Sequence, residues 1–94
     1  MEIVTTGTGA SDSMKLPPRG DFMLFITWAG TPGDADLQIG VDGTFVDMTN
    51  DSLATINITK GLAIRVPGGL SYRLDVNTHS SVATMKAIPI SSYF

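Results

Sequence analysis

His79 is the only histidine in the chain, and any Ser-His-Asp proton relay would have to run through it. It lies in VNTHSSV (residues 76–82), a short connection rich in hydroxyl and amide side chains. No G-x-S-x-G elbow exists to present a serine at a strained strand-to-helix turn. Cysteine is absent, which removes thiolate nucleophiles, thiolate metal ligands and disulfides together. The residues therefore favour a solvated loop histidine over a general base. A histidine at a subunit contact, titrating near neutral pH, stands between those two readings.

The carboxylates are the next candidates. Asp34, Asp36, Asp42, Asp47 and Asp51 fall within eighteen positions. An EF-hand starting at Asp34 could use Asp36 and Gln38, but Ile39 stands where the turn glycine belongs. Phe45 occupies the place of the terminal bidentate glutamate, so the motif fails. A loop calcium site of another kind stays open, and turn-forming, solubilising aspartates account for the set more simply. Paired carboxylates of the glycosidase type are not decided by spacing, since strands bring distant residues together. The one glutamate is Glu2, and most aspartates fall in turns. Phosphate cradles are missing as well: there is no G-x-x-x-x-G-K-[ST], and GTGAS (residues 7–11) precedes no helical pattern. Asn50-Asp51-Ser52 and Asn57-Ile58-Thr59 match the glycosylation pattern but have no signal peptide to give them meaning.

Charge and length narrow the classes further. Ninety-four residues allow one domain with a modest core. Charged residues make up 16% of the chain, against about 25% in an average globular protein. Eleven threonines and eight serines fill the difference, and threonine suits the exposed face of a strand. The net charge of −3 and the six scattered basic residues argue against nucleic acid as a partner. No apolar run reaches the roughly 18 residues of a membrane-spanning helix. The opening MEIVTTGTGASDSMKLPPRG lacks the basic and apolar regions of a signal peptide, so conventional secretion is not expected.

Positioning of any surface falls to strands, because no window carries a sustained helical period. In GDFMLFITWAG, Phe22, Leu24, Ile26 and Trp28 take one face, and Met23, Phe25 and Thr27 the other. Both faces are largely apolar, which predicts a central strand buried on both sides. Leu37, Ile39 and Val41 alternate into Asp42-Gly43, the preferred pair for a two-residue type I′ hairpin turn, and Phe45 and Val46 open the return. NDS reads as a loop, and LATINIT as a strand with Ala54, Ile56 and Ile58 inward. Lys60-Gly61 and Pro67-Gly68-Gly69 separate LAIRV from LSYRLDV, where Leu70, Tyr72, Leu74 and Val76 share a face opposite Ser71, Arg73 and Asp75. The last run, VATMKAIPI, contains Pro89 and predicts an edge strand or a strand that ends there.

Turn signals recur every 8–12 residues, the spacing of an all-β sandwich or barrel. The expected fold is all-β: a two-sheet antiparallel sandwich, jelly-roll or immunoglobulin-like, over residues 21–94. Residues 1–20 read as an extended N-terminal arm, with a Pro-Pro pair at Pro17 and Pro18 favouring extension. Met14 and Leu16 would anchor that arm on a neighbour. Trp28 reads as core at the end of its strand. Tyr93 and Phe94 end the sequence as aromatics that could dock on a partner or back on the fold.

The arrangement resembles small virion proteins of tailed phages, in particular head decoration or cement proteins. GDFMLFITWAGTPGDADLQIGVDGTFVDM and LAIRVPGGLSYRLDVNTHSSVATMKAIPI carry the likeness: a strand–DG–strand hairpin, then P-G-G-x-x-Y-R and an SSV strand with an Ile-Pro-Ile end. The likeness covers residues 21–90 and is one of style and length. It implies a non-enzymatic sandwich made in the host cytoplasm and seated on the major capsid protein of a phage head. It further implies a homo-oligomer, a trimer around local symmetry axes foremost, with no cofactor, nucleic acid or membrane partner. Met14, Leu16, Pro17, Pro18, Tyr93 and Phe94 are the expected partner contacts. The alternative is a carbohydrate- or receptor-binding sandwich of a tail or fibre, with Trp28 or Tyr72 lining a shallow groove.

Overall fold

A computed structural model describes residues 1–90. The strands are β1 (Glu2–Thr5), β2 (Gly9–Ala10), β3 (Met14–Lys15), β4 (Asp21–Trp28), β5 (Asp34–Val41), β6 (Thr44–Asp47), β7 (Asn57–Ile58), β8 (Leu62–Pro67), β9 (Ser71–Thr78) and β10 (Ala83–Ile90). All pairings are antiparallel and no helix is present among the described residues. One sheet runs β1-β10-β4-β8. The other runs β2-β9-β5-β6, with β3 below β2 on the edge of β9 and β7 beside β6 on the edge of β5. Each edge of this second sheet is thus one position split between two short strands.

The chain changes sheet at every connection between these positions except the turn from β5 to β6. At that turn Asp42 and Gly43 both have positive φ, 53° and 83°, which is the type I′ conformation that the pair predicts. Inward residues of both sheets meet in a single core. Leu24, Ile26 and Met85 of the first sheet pack with Leu37, Tyr72 and Leu74 of the second, and none of the six is exposed. The period-2 reading of β5 and β9 holds there: Leu37, Leu74 and Val76 point in, while Gln38, Arg73 and Asp75 point out.

Three local expectations change. Residues 1–20 do not stand apart as an arm: they supply β1 to one sheet and β2 and β3 to the other. Met14 and Leu16 lie in the core, Leu16 with no exposed surface, and the Leu16 N–H donates to the Leu70 carbonyl at 3.0 Å. The physical reason is that β9 needs a neighbour along its free edge, and this segment is the strand that satisfies those backbone groups. Second, β10 is an interior strand over most of its length. Its partner β1 reaches only from Ala83 to Lys86, and the Ala87 N–H still bonds to the Met1 carbonyl. By alternation the nitrogen of Pro89 points to the same side, beyond the end of β1, so its missing N–H is needed by nothing. Third, β4 is central in its sheet but covered on one face only.

Candidate interaction surfaces

The uncovered face of β4 belongs to a larger outward surface on the first sheet. Register places Glu2, Lys86, Phe25 and Ala63 in one row across β1, β10, β4 and β8. The next row is Ile88, Met23 and Arg65, and the row beyond is Ile90, Asp21 and Pro67. On the other side lie Val4, Thr84 and Thr27. Val4, Phe25 and Ile88 are 55%, 39% and 43% exposed, so the apolar groups at the middle of this face meet solvent. Two acids and two bases flank them: Glu2 pairs with Lys86 in register, and Arg65 Nε donates to Asp21 Oδ2 at 2.8 Å. The face carries no net charge although the chain carries −3.

The outward face of the second sheet is different in kind. Asn57 and Asn77 each donate from Nδ2 to the carboxylates of both Asp34 and Asp36. Arg73 Nε donates to Gln38 Oε1 at 2.7 Å, and Gln38 Nε2 donates to Asp47 Oδ1 at 3.0 Å. The same guanidinium lies 4.0 Å from the centre of the Phe45 ring, a cation–π contact worth about 0.5–1 kcal/mol where exposed. Phe45 in turn rests on Gly40, where an added Cβ would come within 2.6 Å of the ring. Among the described residues of this face, Asp34, Asp36, Asp47, Gln38, Asn57, Arg73 and Asn77 are bonded to one another, and Phe45 is lidded.

A third surface arises because the two sheets do not cover each other at one flank. Alternation directs Ile39, Val41, Thr44 and Val46 inward, yet Val41 is 56% and Val46 60% exposed. With Leu70 these residues line an open apolar groove of about 270 Å³. That is below the roughly 300–1,000 Å³ of typical small-molecule pockets. A second hollow with Lys15, Asp42 and Ser71 on its walls shares Gly40 and Val41 with the groove.

Residues 48–56, predicted as loop then strand, form a miniature hairpin off the edge of β5. Met48 N–H donates to the Leu37 carbonyl, Leu37 N–H to Ile56, and Thr49 bridges Thr55. The tip is Asp51-Ser52-Leu53. Asn50 Oδ1 accepts the N–H groups of Ser52 and Ala54 at 2.9 and 3.1 Å, and its carbonyl accepts that of Leu53. Leu53 has φ 61°, in the left-handed position that a three-residue hairpin loop usually gives to glycine or asparagine. A bulky residue there costs roughly 1–3 kcal/mol. Its side chain is 82% exposed and recovers little of that through packing on its own chain. The sequence signal was a leucine placed directly after Asn-Asp-Ser, which the loop reading passed over.

The other residues singled out by sequence fall as follows. His79 is exposed in the β9–β10 connection. The five aspartates are spread over the second sheet and two turns, and no group of three potential metal-ligating acids or histidines occurs among the described residues. Trp28 is half-buried and packs against the core, as expected. Tyr72 is fully buried; its hydroxyl donates to the Pro67 carbonyl at 2.8 Å and so ties β9 of one sheet to β8 of the other. Burial, with the nearby Asp21 charge second, pushes its pKa up to about 12. Tyr72, with no exposed surface, is out of reach of a surface ligand, and Trp28 is partly covered by the core it packs on. Pro17 borders a cleft of about 370 Å³ with Met1, Arg19, Phe22, Ala87 and Pro89, and Pro18 is exposed beside it in the chain. Tyr93 and Phe94 lie outside the described residues. Comparison with family models, curated proteins and solved structures finds no match to this chain.

Proposed function

We propose that this chain is a non-enzymatic structural subunit of a tailed-phage virion, a head decoration or cement protein that rests on the major capsid protein and associates with itself, as a trimer foremost. The observation that carries the reading is the outward face of the first sheet: apolar at Val4, Met23, Phe25 and Ile88, and neutral overall among the described residues. Such a face suits a broad protein contact repeated over a lattice, where many weak attachments add up to tight binding. The strand order is a second support. Counting each split edge as one position, the sheets read 1-8-3-6 and 2-7-4-5, an order that supports the jelly-roll form of the sandwich over the immunoglobulin-like one. That architecture recurs in viral capsid and lectin domains. The sugar-binding alternative has less to stand on, because Tyr72 is in the core and Trp28 packs against it.

Attachment to capsids is the direct test. Phe25→Asp on the first sheet should abolish binding to capsids built from the neighbouring major capsid gene and lower the temperature at which decorated heads open. Arg73→Ala on the second sheet should leave both unchanged. Equal binding by wild type and Phe25→Asp would overturn the reading, as would a gene neighbourhood without capsid, portal or protease genes.

A further inference from the structure

We infer that copies of this chain join edge to edge, the outer side of β1 on one copy pairing antiparallel with the outer side of β8 on the next. The joint sets Glu2 opposite Arg65, and Val4 opposite Ala63, of the next copy. The proposal deepens the self-association within the virion reading and is tested on the purified chain alone, so that its failure and the failure of capsid attachment are separate results.

Backbone geometry selects this pairing. β1 and β8 close the two sides of the first sheet, and no described residue pairs with the outer side of either. The Ala87 N–H bonds to the Met1 carbonyl, so alternation directs the N–H and carbonyl of Ile3 and Thr5 to β10 and those of Glu2 and Val4 outward. On β8 the Gly68 N–H bonds to the Gly20 carbonyl, which directs Val66, Ile64 and Leu62 to β4 and leaves Ala63 and Arg65 outward. The four strands alternate in direction, so a copy set alongside brings its β8 antiparallel to β1. With Glu2 opposite Arg65, every one of these outward groups finds a partner. A shift of two residues one way sets Glu2 against Pro67, which has no N–H and whose carbonyl already accepts the Tyr72 hydroxyl. A shift the other way carries Val4 past the start of β8 to Gly61.

Side chains agree with the same register. Glu2 has no ion pair among the described residues, and Arg65 meets Asp21 through Nε alone. The Arg65 side chain is 60% exposed, so its terminal nitrogens are open to a carboxylate. On the inward side Ile3 falls opposite Ile64, and both pack half-buried at the rim of the core. β10 ends at Ile90, in the row of Asp21 and Pro67 and so past the paired stretch of both edges. Pairing β1 with β1, or β8 with β8, gathers like charges instead. The contact is therefore heterologous: it repeats from copy to copy and closes into a ring when the rotation permits.

The test reads mass in solution by sedimentation of the purified chain. Wild type should be assembled, whereas Glu2→Arg and Arg65→Glu should each run as monomers, because like charges then face each other across the joint. Mixed one to one, these two variants should assemble again, since each meets the opposite charge on the other. Ala63→Pro removes an N–H that its own sheet does not use, so it should keep the wild-type far-ultraviolet spectrum yet stay monomeric. Val4→Pro makes the same test from β1 should Ala63→Pro fold poorly. A wild type that stays monomeric at high concentration, a folded proline variant that keeps the wild-type mass, or a charge-variant mixture that stays monomeric would each overturn the proposal.

Discussion

Phe25 and Phe45 stand on the outward faces of opposite sheets and meet different fates. Phe45 lies over Gly40 and under the Arg73 guanidinium, inside a network that continues through Gln38 to Asp47. Phe25 has Lys86 and Ala63 as register neighbours and stays 39% exposed. Around the first ring the chain satisfies its own polar groups and shields its own apolar ones. Around the second it leaves methyl, thioether and phenyl groups in water, between the Arg65–Asp21 ion pair and the register neighbours Glu2 and Lys86. A face that is closed within the chain contributes to folding, whereas an apolar face left open has its burial still to gain from a partner.

The scale for that contrast is set by the interior both sheets share. Leu16→Ala should cost about 2–5 kcal/mol in a denaturant titration, because it opens a cavity under the β3–β9 edge. A loss below about 1 kcal/mol would return residues 1–20 to the status of an arm. The closed face comes next. Gly40→Ala puts a methyl group against the Phe45 ring and should cost about 1–3 kcal/mol, with Phe45 displaced from Arg73. Between the faces, the Tyr72 phenol sits with a pKa of about 12. A pKa raised above the ordinary 10 means the native state prefers the protonated phenol. Stability is then level below about pH 10 and falls as the pH rises through 10 toward 12, and Tyr72→Phe should flatten that slope in urea midpoints. The smallest effect belongs to the open face. Phe25→Thr should stay within about 0.5 kcal/mol of wild type while lowering binding of a hydrophobic dye, since threonine keeps the strand preference and removes only an exposed ring. A loss of several kcal/mol there would show that Phe25 serves the fold, and the contrast between the faces would collapse.

Much of this was legible in the chain. Period-2 alternation placed Leu24, Leu37, Tyr72 and Leu74 inward, and Asp42-Gly43 named its turn, because both follow from local backbone geometry. Apolar residues on both sides of β4 were equally visible, but alternation reports which residues share a face and is silent on what covers it. Met14 and Leu16 were read as anchors for a neighbour, since a two-residue strand has too few positions to show a period. Their place depends on the free edge of β9, more than fifty residues away in the chain. Among the surface residues, Leu53 was hidden for a different reason: its meaning rests on a positive φ that Asn50 imposes through side-chain bonds.

The amino-acid sequence by itself determined that this is an all-β chain without a recognisable catalytic or metal-binding motif, since strand period, turn residues and the absence of cysteine are local properties. Tertiary structure alone decided which faces stay open. Coverage is a relation between sheets, set by how far β1 runs along β10 and where β6 passes beyond the opposing sheet, and no short window of residues contains it.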